Sequence, residues 1–592
     1  MRQLGWVLVA TMLLTGCFGG RPGGTGDEGA NGDPPPGTTA AGAPVIFFTD
    51  LSNAPVRGWA GRPDRGAAVS VWGLRLGSAR GHAYVSVGGV PLSRDEDYAE
   101  WGATERPRTA RGLERVTFWL NPDLPLGATT ITVTTPAGTS NALPFFTRGE
   151  GRIFFLRPDG NDAASGRTPA AAWKTFAKVR ELQAGDVLYV MGGRYGPENA
   201  AAPDRFVQAF NLDRPGAPHR SIAVVGYPGE EAVLGRCEPG LLYFVRGSSE
   251  GSGHVDLSRW VLGKLKVQVR DAVFYLGNNG RGRADALRLV GFDATTCEAR
   301  AGHGTAFQPE ANAGLRDLRF LGNYVHHTGK PLDWQEGDGS GYRSGPLYLG
   351  GWGTYEGVTE VAYNEFAYNN GRVQFFGHKQ GDALEHLSFH HNWIHHTATP
   401  PWSSGAGSVS VVFGDGDPSG SDYVFLREAD IYNNLWTDNS GGVRFGGTTG
   451  GGNGGELRFF NNTHWHSGFA PTFRDFQFGN AGVVLSNNVV RPRDGDTSGH
   501  YGGWASGAHG PVRGDHNLYW GLNKGVPDWD DPASSREQPP RLVDPEGFDF
   551  RPGADSPARD AGRCLPLASP DYLGVPRPQG NGCDLGAFEA AP

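Results

Sequence analysis

An all-β chain, a β-sandwich followed by a longer β-solenoid, is what the sequence predicts, on three observations. The 592 residues include 93 glycines, 42 prolines and 16 tryptophans, a composition of short strands joined by turns rather than of helices. From Pro44 onward, roughly 100 residues alternate apolar and polar side chains between turn signals at the spacing of a sandwich. Beyond them, asparagines recur at intervals that hold apolar residues in constant columns. The length calls for more than one domain. The net charge is only -9, and no block of one sign dominates, so the basic stripe a nucleic-acid partner needs is lacking.

The elements follow in chain order. Arg2 supplies a positive start, and the apolar stretch from Leu4 to Leu14 is too short to span a bilayer, so residues 1–17 read as a signal peptide. It ends in Leu14-Thr15-Gly16-Cys17, which resembles the lipobox of bacterial lipoproteins. The resemblance implies that Cys17 is lipidated. With Phe18 following and no Asp in the position that retains lipoproteins at the inner membrane, it implies the outer membrane or cell surface. Residues 18–43, rich in Gly, Pro, Ala and Thr without apolar periodicity, form a flexible tether. Four further cysteines, Cys237, Cys297, Cys564 and Cys583, suit an oxidising compartment. Their even number favours two disulfides, most simply Cys237 with Cys297 and Cys564 with Cys583, the alternative being free buried thiols.

Residues 44–148 hold the sandwich. AAVSVWGLRLG, AYVSVGGVPL and RVTFWLNPDLPLGATTITVTTPAGTSNALPFF supply its alternating strands. Residues 73–77, 85–89 and 127–146 resemble the IPT/TIG immunoglobulin-like domain, which implies a spacer or a binding module. No catalytic constellation stands in this stretch.

Residues 149–592 form the solenoid. Its opening, IFFLRPDGNDAASGRTPAAAWKTFAKVRELQAGDVLYVMGGRYG, resembles that of right-handed parallel β-helices of the pectate-lyase-like superfamily. A short helix at about Trp173 to Leu182 is expected to cap the open end of the core. The closing segment, DSPARDAGRCLPLASPDYLGVPRPQGNGCDLGAFE, resembles the end common in secreted bacterial β-helix proteins. There Arg577, with Asp584 or Glu589, is expected to close the helix end by ion pairing.

The middle can be read from its own residues. Aligned on Asn323, Asn364, Asn392, Asn434, Asn462 and Asn488, every segment carries an apolar residue three places earlier: Phe320, Val361, Phe389, Ile431, Phe459 and Leu485. Two places later stand Val325, Phe366, Ile394, Trp436, His464 and Val490, apolar but for one. The asparagines are expected to form a ladder of side-chain amides, because Asn tolerates left-handed turns. Four histidines in LSFHHNWIHHT raise the possibility of a metal site. Positions three and four after the asparagine also accept Ala, Thr, Trp and Tyr, and neighbouring strand residues point to opposite faces, so stacking on the coil exterior is the expectation.

Polysaccharide is the partner the superfamily resemblance implies, in one of three roles. A lyase performing β-elimination needs a base for the proton beside a uronate carboxylate and a cation to neutralise that carboxylate. Only Lys330, Lys379 and Lys524 follow residue 300. Lys379 and His378 lie just past the apolar strand VQFF, near Asp382 and Glu385, which suit Ca²⁺ as cofactor. The insertion GKPLDWQEGDGSGYRSG adds Lys330, Trp334 and Tyr342 for substrate and Arg343 for its carboxylate. A second acidic stretch, GDGDPSGSD, lacks an EF-hand spacing. The alternatives are a non-catalytic glycan-binding or adhesive surface protein and a glycoside hydrolase. The latter is disfavoured because GHG at residues 302–304 has no NTD before it and no RIK after it, as β-helix polygalacturonases have. A monomer is expected.

Overall fold

A computed structural model describes residues 42–590, apart from segments 104–111, 210–211, 238–239, 248–253, 277–281, 299–303, 310–314, 332–344, 352–353, 378–382, 399–408, 417–425, 446–455, 468–475, 479–481, 494–511 and 523–524. Two antiparallel sheets open the chain. Val45–Thr49, Ala68–Leu74, Glu114–Trp119 and Tyr98–Ala103 form one. The other is built around Leu143–Arg148, Gly127–Thr135 and Tyr84–Val87. Alternation fills the space between them: Val69, Val71, Val85, Val87, Val116, Phe118, Ile131 and Val133 are all fully buried.

Three long parallel sheets then wind into a β-helix. The first runs from Ile153–Leu156 to Val512–Asp515, the second from Gly193–Tyr195 to Arg536–Glu537, and the third from Arg205–Gln208 to Phe476–Phe478. The nine coils that begin with Val187–Val190 and end with Leu457–Phe460 each contribute one strand to each sheet, and rungs pair with the next coil in parallel, as Phe320 with Val361, Phe389, Ile431, Phe459 and Leu485 in turn. Both expected apolar columns are fully buried, His464 included. The expected cap is a 3₁₀ helix, Phe176–Glu181, which turns Phe176, Val179 and Leu182 onto the end of the core. Both disulfides form, Cys237–Cys297 and Cys564–Cys583.

The asparagine ladder is present, with one rung more than expected. Asn323, Asn364, Asn392, Asn434, Asn462, Asn488 and Asn517 are buried in succession. From Asn364 on, each amide carbonyl accepts from the backbone and side chain of the asparagine one coil earlier, at 2.9–3.2 Å, and that of Asn323 accepts from the Phe292 backbone. The ladder asparagines are not the left-handed residues, which corrects the expected cause. Those stand one place earlier, at Gly322, Tyr363, His391, Asn433, Asn461, Asn487 and His516. The turn rotates the next amide inward along the axis, where it binds carbonyls that no strand serves. A second ladder follows five places on, with Thr328 bonded to Asn369 and Thr397 to Asn439.

The left-handed column also decides what docks outside. Where the sandwich lies against the helix, its positions are Lys264, Gly291, Gly322 and Tyr363, two of them glycine. A Cβ on Gly322 would stand 2.4 Å from the Phe48 ring, and one on Gly291 would stand 3.2 Å from Trp72. The outer face of the first sheet is apolar there too, through Phe155, Val187, Tyr189, Val225, Val261, Val290 and Leu321, and it shares one core with Phe48, Trp72 and Trp119. The buried Lys264 ammonium reaches Asp50 at 3.0 Å across this contact. The sandwich is thus packed onto the helix rather than held off as a spacer.

Further along, the same column becomes Asn433, Asn461 and Asn487, whose amides donate to the carbonyls of Ala568 and Pro570, of Asp584 and Gly586, and of Arg563. The C-terminal segment therefore runs along the flank of the coils, where it was expected to close the end. Within it Arg577 pairs with Glu589 at 2.9 Å, both side chains buried, while Asp584 accepts from the backbone of Asp560 and Ala590 instead.

The register makes a stability contrast testable. Phe459 packs against Trp436 and Phe445 inside the core. Phe459→Ala is expected to cost about 3 to 4 kcal/mol, and His396→Ala, on the exterior turn, well under half of that. Equal losses in chemical denaturation would contradict the register.

Candidate functional site

The residues proposed from sequence are brought together only in part. His378, Lys379 and Asp382 fall in segment 378–382, and Trp334, Tyr342 and Arg343 in segment 332–344, outside the described residues. Lys330, at the start of that insertion, is fully buried rather than displayed. Glu385 lies in Ala383–His390 of the first sheet, where its Oε2 accepts from the Gly357 amide at 3.0 Å and its Oε1 lies 4.0 Å from Arg427. The Gly414 to Asp422 stretch is described only at its start.

The wall these segments flank is the third sheet. Its inward residues stack along the core: Phe375 on Phe413 at 5.6 Å and Phe413 on Phe445 at 5.9 Å. Alternation then turns the intervening residues outward, and register joins them in one row. Arg246 pairs with Tyr275, Tyr275 with Gln308, Tyr348 with Gln374, Gln374 with Val412 and Val412 with Arg444; Phe307 opposite Leu347 sets Gln308 beside Tyr348. None of these belongs to the helix core.

The row is cationic, aromatic and amide-bearing. Toward its start, one strand after Gln208, the Arg246 guanidinium lies 4.5 Å over the Tyr243 ring and 3.3 Å from Asp204. The Tyr243 hydroxyl donates to Asp271 at 2.5 Å, and burial, with the Asp271 charge, pushes the phenol pKa up. Farther on, Arg372 Nε donates to the side-chain Oε1 of Gln374 at 3.1 Å. Gln308, in the middle, is fully buried, and neither its amide nitrogen nor its oxygen finds a hydrogen-bond partner among the described residues. Leaving such groups unmade costs about 1 to 3 kcal/mol each. Sequence reading missed this row, although YFVR, AVFY, TAFQ, VQFF and GVRF carry its signal once aligned by strand.

The histidines are organised differently from the expectation. His326, His390 and His395 each end or nearly end a strand, and the next residue, His327, His391 or His396, is left-handed. That turn brings neighbours onto one side, so their Nδ1 atoms meet at 2.8, 2.7 and 2.9 Å. The Nε2 atom of the first ring meets a carboxylate from the preceding coil: Asp293 at 2.9 Å, Glu360 at 3.2 Å and Glu365 at 3.1 Å. Burial opposes ionisation of Glu360, yet its bond to His390 and the charges of His390, Arg319 and Arg288 bring its pKa down to about 2. Among the described residues no three His, Cys, Asp or Glu side chains converge as a metal shell would.

No protein family matches the sequence, and no curated protein does. Solved structures similar to it include pectate lyase Pel9A, at 13% identity and a TM-score of 0.35, covering 74% of this chain and 96% of that one. A rhamnogalacturonan lyase matches at 14% identity and a TM-score of 0.33, covering 65% and 86%. XylC in complex with xylose matches at 11% identity and a TM-score of 0.32, covering 74% and 98%. The parallel β-helix itself is read from the chain's own ladders.

Proposed function

We propose that this chain is a surface-anchored protein that binds acidic polysaccharide along the outer face of the third sheet. The observation that carries the reading is the unsatisfied, buried Gln308 amide in a row with Tyr275, Tyr348, Arg246 and Arg444. Tyr275, Gln308, Tyr348 and Arg444 are buried, so the half-buried Arg246 would meet a glycan carboxylate first, in bidentate fashion, and the Gln308 amide would be satisfied where a sugar hydroxyl reached into the row. The test is binding of the full chain to a panel of acidic polysaccharides. Arg246→Ala is expected to weaken it about tenfold, the worth of one charge-assisted hydrogen bond; unchanged affinity in both Arg246→Ala and Arg444→Ala would place the glycan elsewhere.

The second reading is β-elimination, with Lys379 as base, Asp382 or Glu385 holding Ca²⁺, and Arg343 on the substrate carboxylate. It is favoured by chain position: Lys379 follows by two residues the strand Val373–Gly377, whose Gln374 stands in the row. Under it, the wild type releases unsaturated product, and Lys379→Ala or EDTA abolishes that release. An inert wild type across the panel leaves binding alone.

Anchorage rests on the lipid at Cys17. Among the described residues no helix is long and apolar enough to cross a membrane. Cys17→Ser is expected to move the protein from the membrane pellet to the soluble fraction; retention in the outer membrane at high salt would refute the lipid anchor.

A further inference from the structure

The seam between the sandwich and the first coils brings two guanidinium groups together. Arg148 ends the last sandwich strand, Leu143–Arg148, and is only 9% exposed. Arg220 lies on the helix side, at the end of a turn in which its backbone N–H donates to the Ala217 carbonyl at 2.8 Å, and it is exposed. Asn53 of the sandwich donates to the hydroxyl of Ser221, next in the chain, at 2.9 Å, which holds the turn to the seam. Both arginines reach over Gly185, itself buried: a Cβ there would stand 3.0 Å from Arg148 Nη1 and 3.2 Å from Arg220 Nε. Arg148 is thus the inner cation and Arg220 the outer one.

Among the described residues neither arginine pairs with a carboxylate. The Arg148 side chain donates once, from Nη1 to the Glu150 carbonyl at 3.0 Å, and its buried Nε and Nη2 find no acceptor there. Asp186, beside Gly185 in the chain, is committed to Arg152, 2.9 Å from its Nε, and to the Gln183 N–H at 2.6 Å. By contrast Arg115 and Arg577, buried to a similar degree, face Glu100 at 2.8 Å and Glu589 at 2.9 Å. Burial, and then the Arg220 charge, bring the Arg148 pKa down to about 10, which leaves it a cation at neutral pH. A buried cation with idle donors is unfavourable, and an anion relieves it. The idle donors are also a matched pair, because Nε and Nη2 share the edge of a guanidinium that meets two oxygens side by side.

We infer that Arg148 and Arg220 form an oxyanion site at this seam, one that takes a sulfate or carboxylate group. The inference is independent of the third-sheet row. The anion enters where the exposed Arg220 side chain turns outward, beside His219, whose ring is stacked on Phe146 of the sandwich at 4.0 Å. It then accepts from Nε and Nη2 of Arg148 on one side and from the Arg220 guanidinium on the other. Because Arg148 belongs to the sandwich and Arg220 to the helix, a bound anion also ties the two domains. The group has two sources, a free ion and a substituent of an acidic glycan, and both present the same oxygens.

The experiment titrates the full chain with sodium sulfate, sodium glucuronate and dextran sulfate by calorimetry, with chloride holding the ionic strength constant. The wild type is expected to bind sulfate or glucuronate saturably at a single site. Arg220→Gln is expected to weaken that binding about tenfold, the worth of one charge-assisted hydrogen bond, and Arg148→Met to abolish it. Arg220 stands on an exposed turn, so its variant decides the matter even if Arg148→Met does not fold. An equal loss of dextran sulfate affinity in the variants marks a glycan-borne group as the occupant, and a loss confined to the small anions marks a free ion. A wild type that binds neither small anion, or an affinity unchanged in either folded variant, overturns the site and leaves the polysaccharide reading as it stands.

Discussion

Acidification from pH 7 to pH 4.5 is expected to cost the fold about 2 to 3 kcal/mol through one residue, His464, and His464→Leu is expected to remove that sensitivity. His464 occupies a core column between Trp436 and Val490, fully buried, with its ring stacked 4.5 Å from Trp436. Burial drives its pKa down from the ordinary 6.5 to about 3. The unfolded chain thus takes up a proton between those values that the folded chain refuses. The contribution to stability is complete above about pH 6.5 and is lost progressively as pH falls toward about 3, where it reaches roughly 5 kcal/mol. Denaturant midpoints taken from pH 7 to 4.5 should decline more steeply in the wild type than in the variant. Parallel slopes would mean that the imidazole is hydrated.

Asn434→Ala is expected to destabilise the helix by about 4 kcal/mol or more. The Asn434 amide donates to the Phe389 carbonyl at 2.9 Å and to Asn462 at 3.0 Å, while its oxygen accepts from the backbone and the side chain of Asn392. Alanine would strand a carbonyl, a backbone N–H and an amide proton in a place no water reaches. Asn433→Gly, which suits the left-handed backbone at that position, is a matched control, since that amide reaches the C-terminal segment, through Ala568 and Pro570, and the His391 ring. It should expose that segment to protease with little change in the main unfolding transition. A loss below 1 kcal/mol for Asn434→Ala would show the ladder to be decoration.

The columns of Phe320 to Leu485 and of Val325 to Val490, and the amide ladder between them, were legible because each coil repeats one local solution. A residue buried at a fixed offset from a turn must be apolar, and a turn that strands carbonyls must be served by an amide. The signal was strong even where His464 broke the hydrophobic pattern. By contrast, the two asparagines in each NN pair look alike in sequence. Only the handedness of the turn separates the inward Asn434 from the outward Asn433 that binds the closing segment.

Composition, alternation and the spacing of turns thus determined an all-β chain with a sandwich and a repeat of coils, and the parallel β-helix was what the resemblance of the segment from Ile153 onward implied. Even cysteine count and chain order anticipated the two disulfides. What tertiary structure decided is everything that depends on which coil lies beside which face. The packing of Phe48 and Trp72 over Gly322 and Gly291, the path of residues 562–589 along the flank, the Arg246 to Arg444 row and the paired histidines all join residues tens to hundreds of positions apart. Loop lengths vary from coil to coil, so sequence distance carries no information about these neighbours, and a left-handed residue reverses the face that simple alternation assigns.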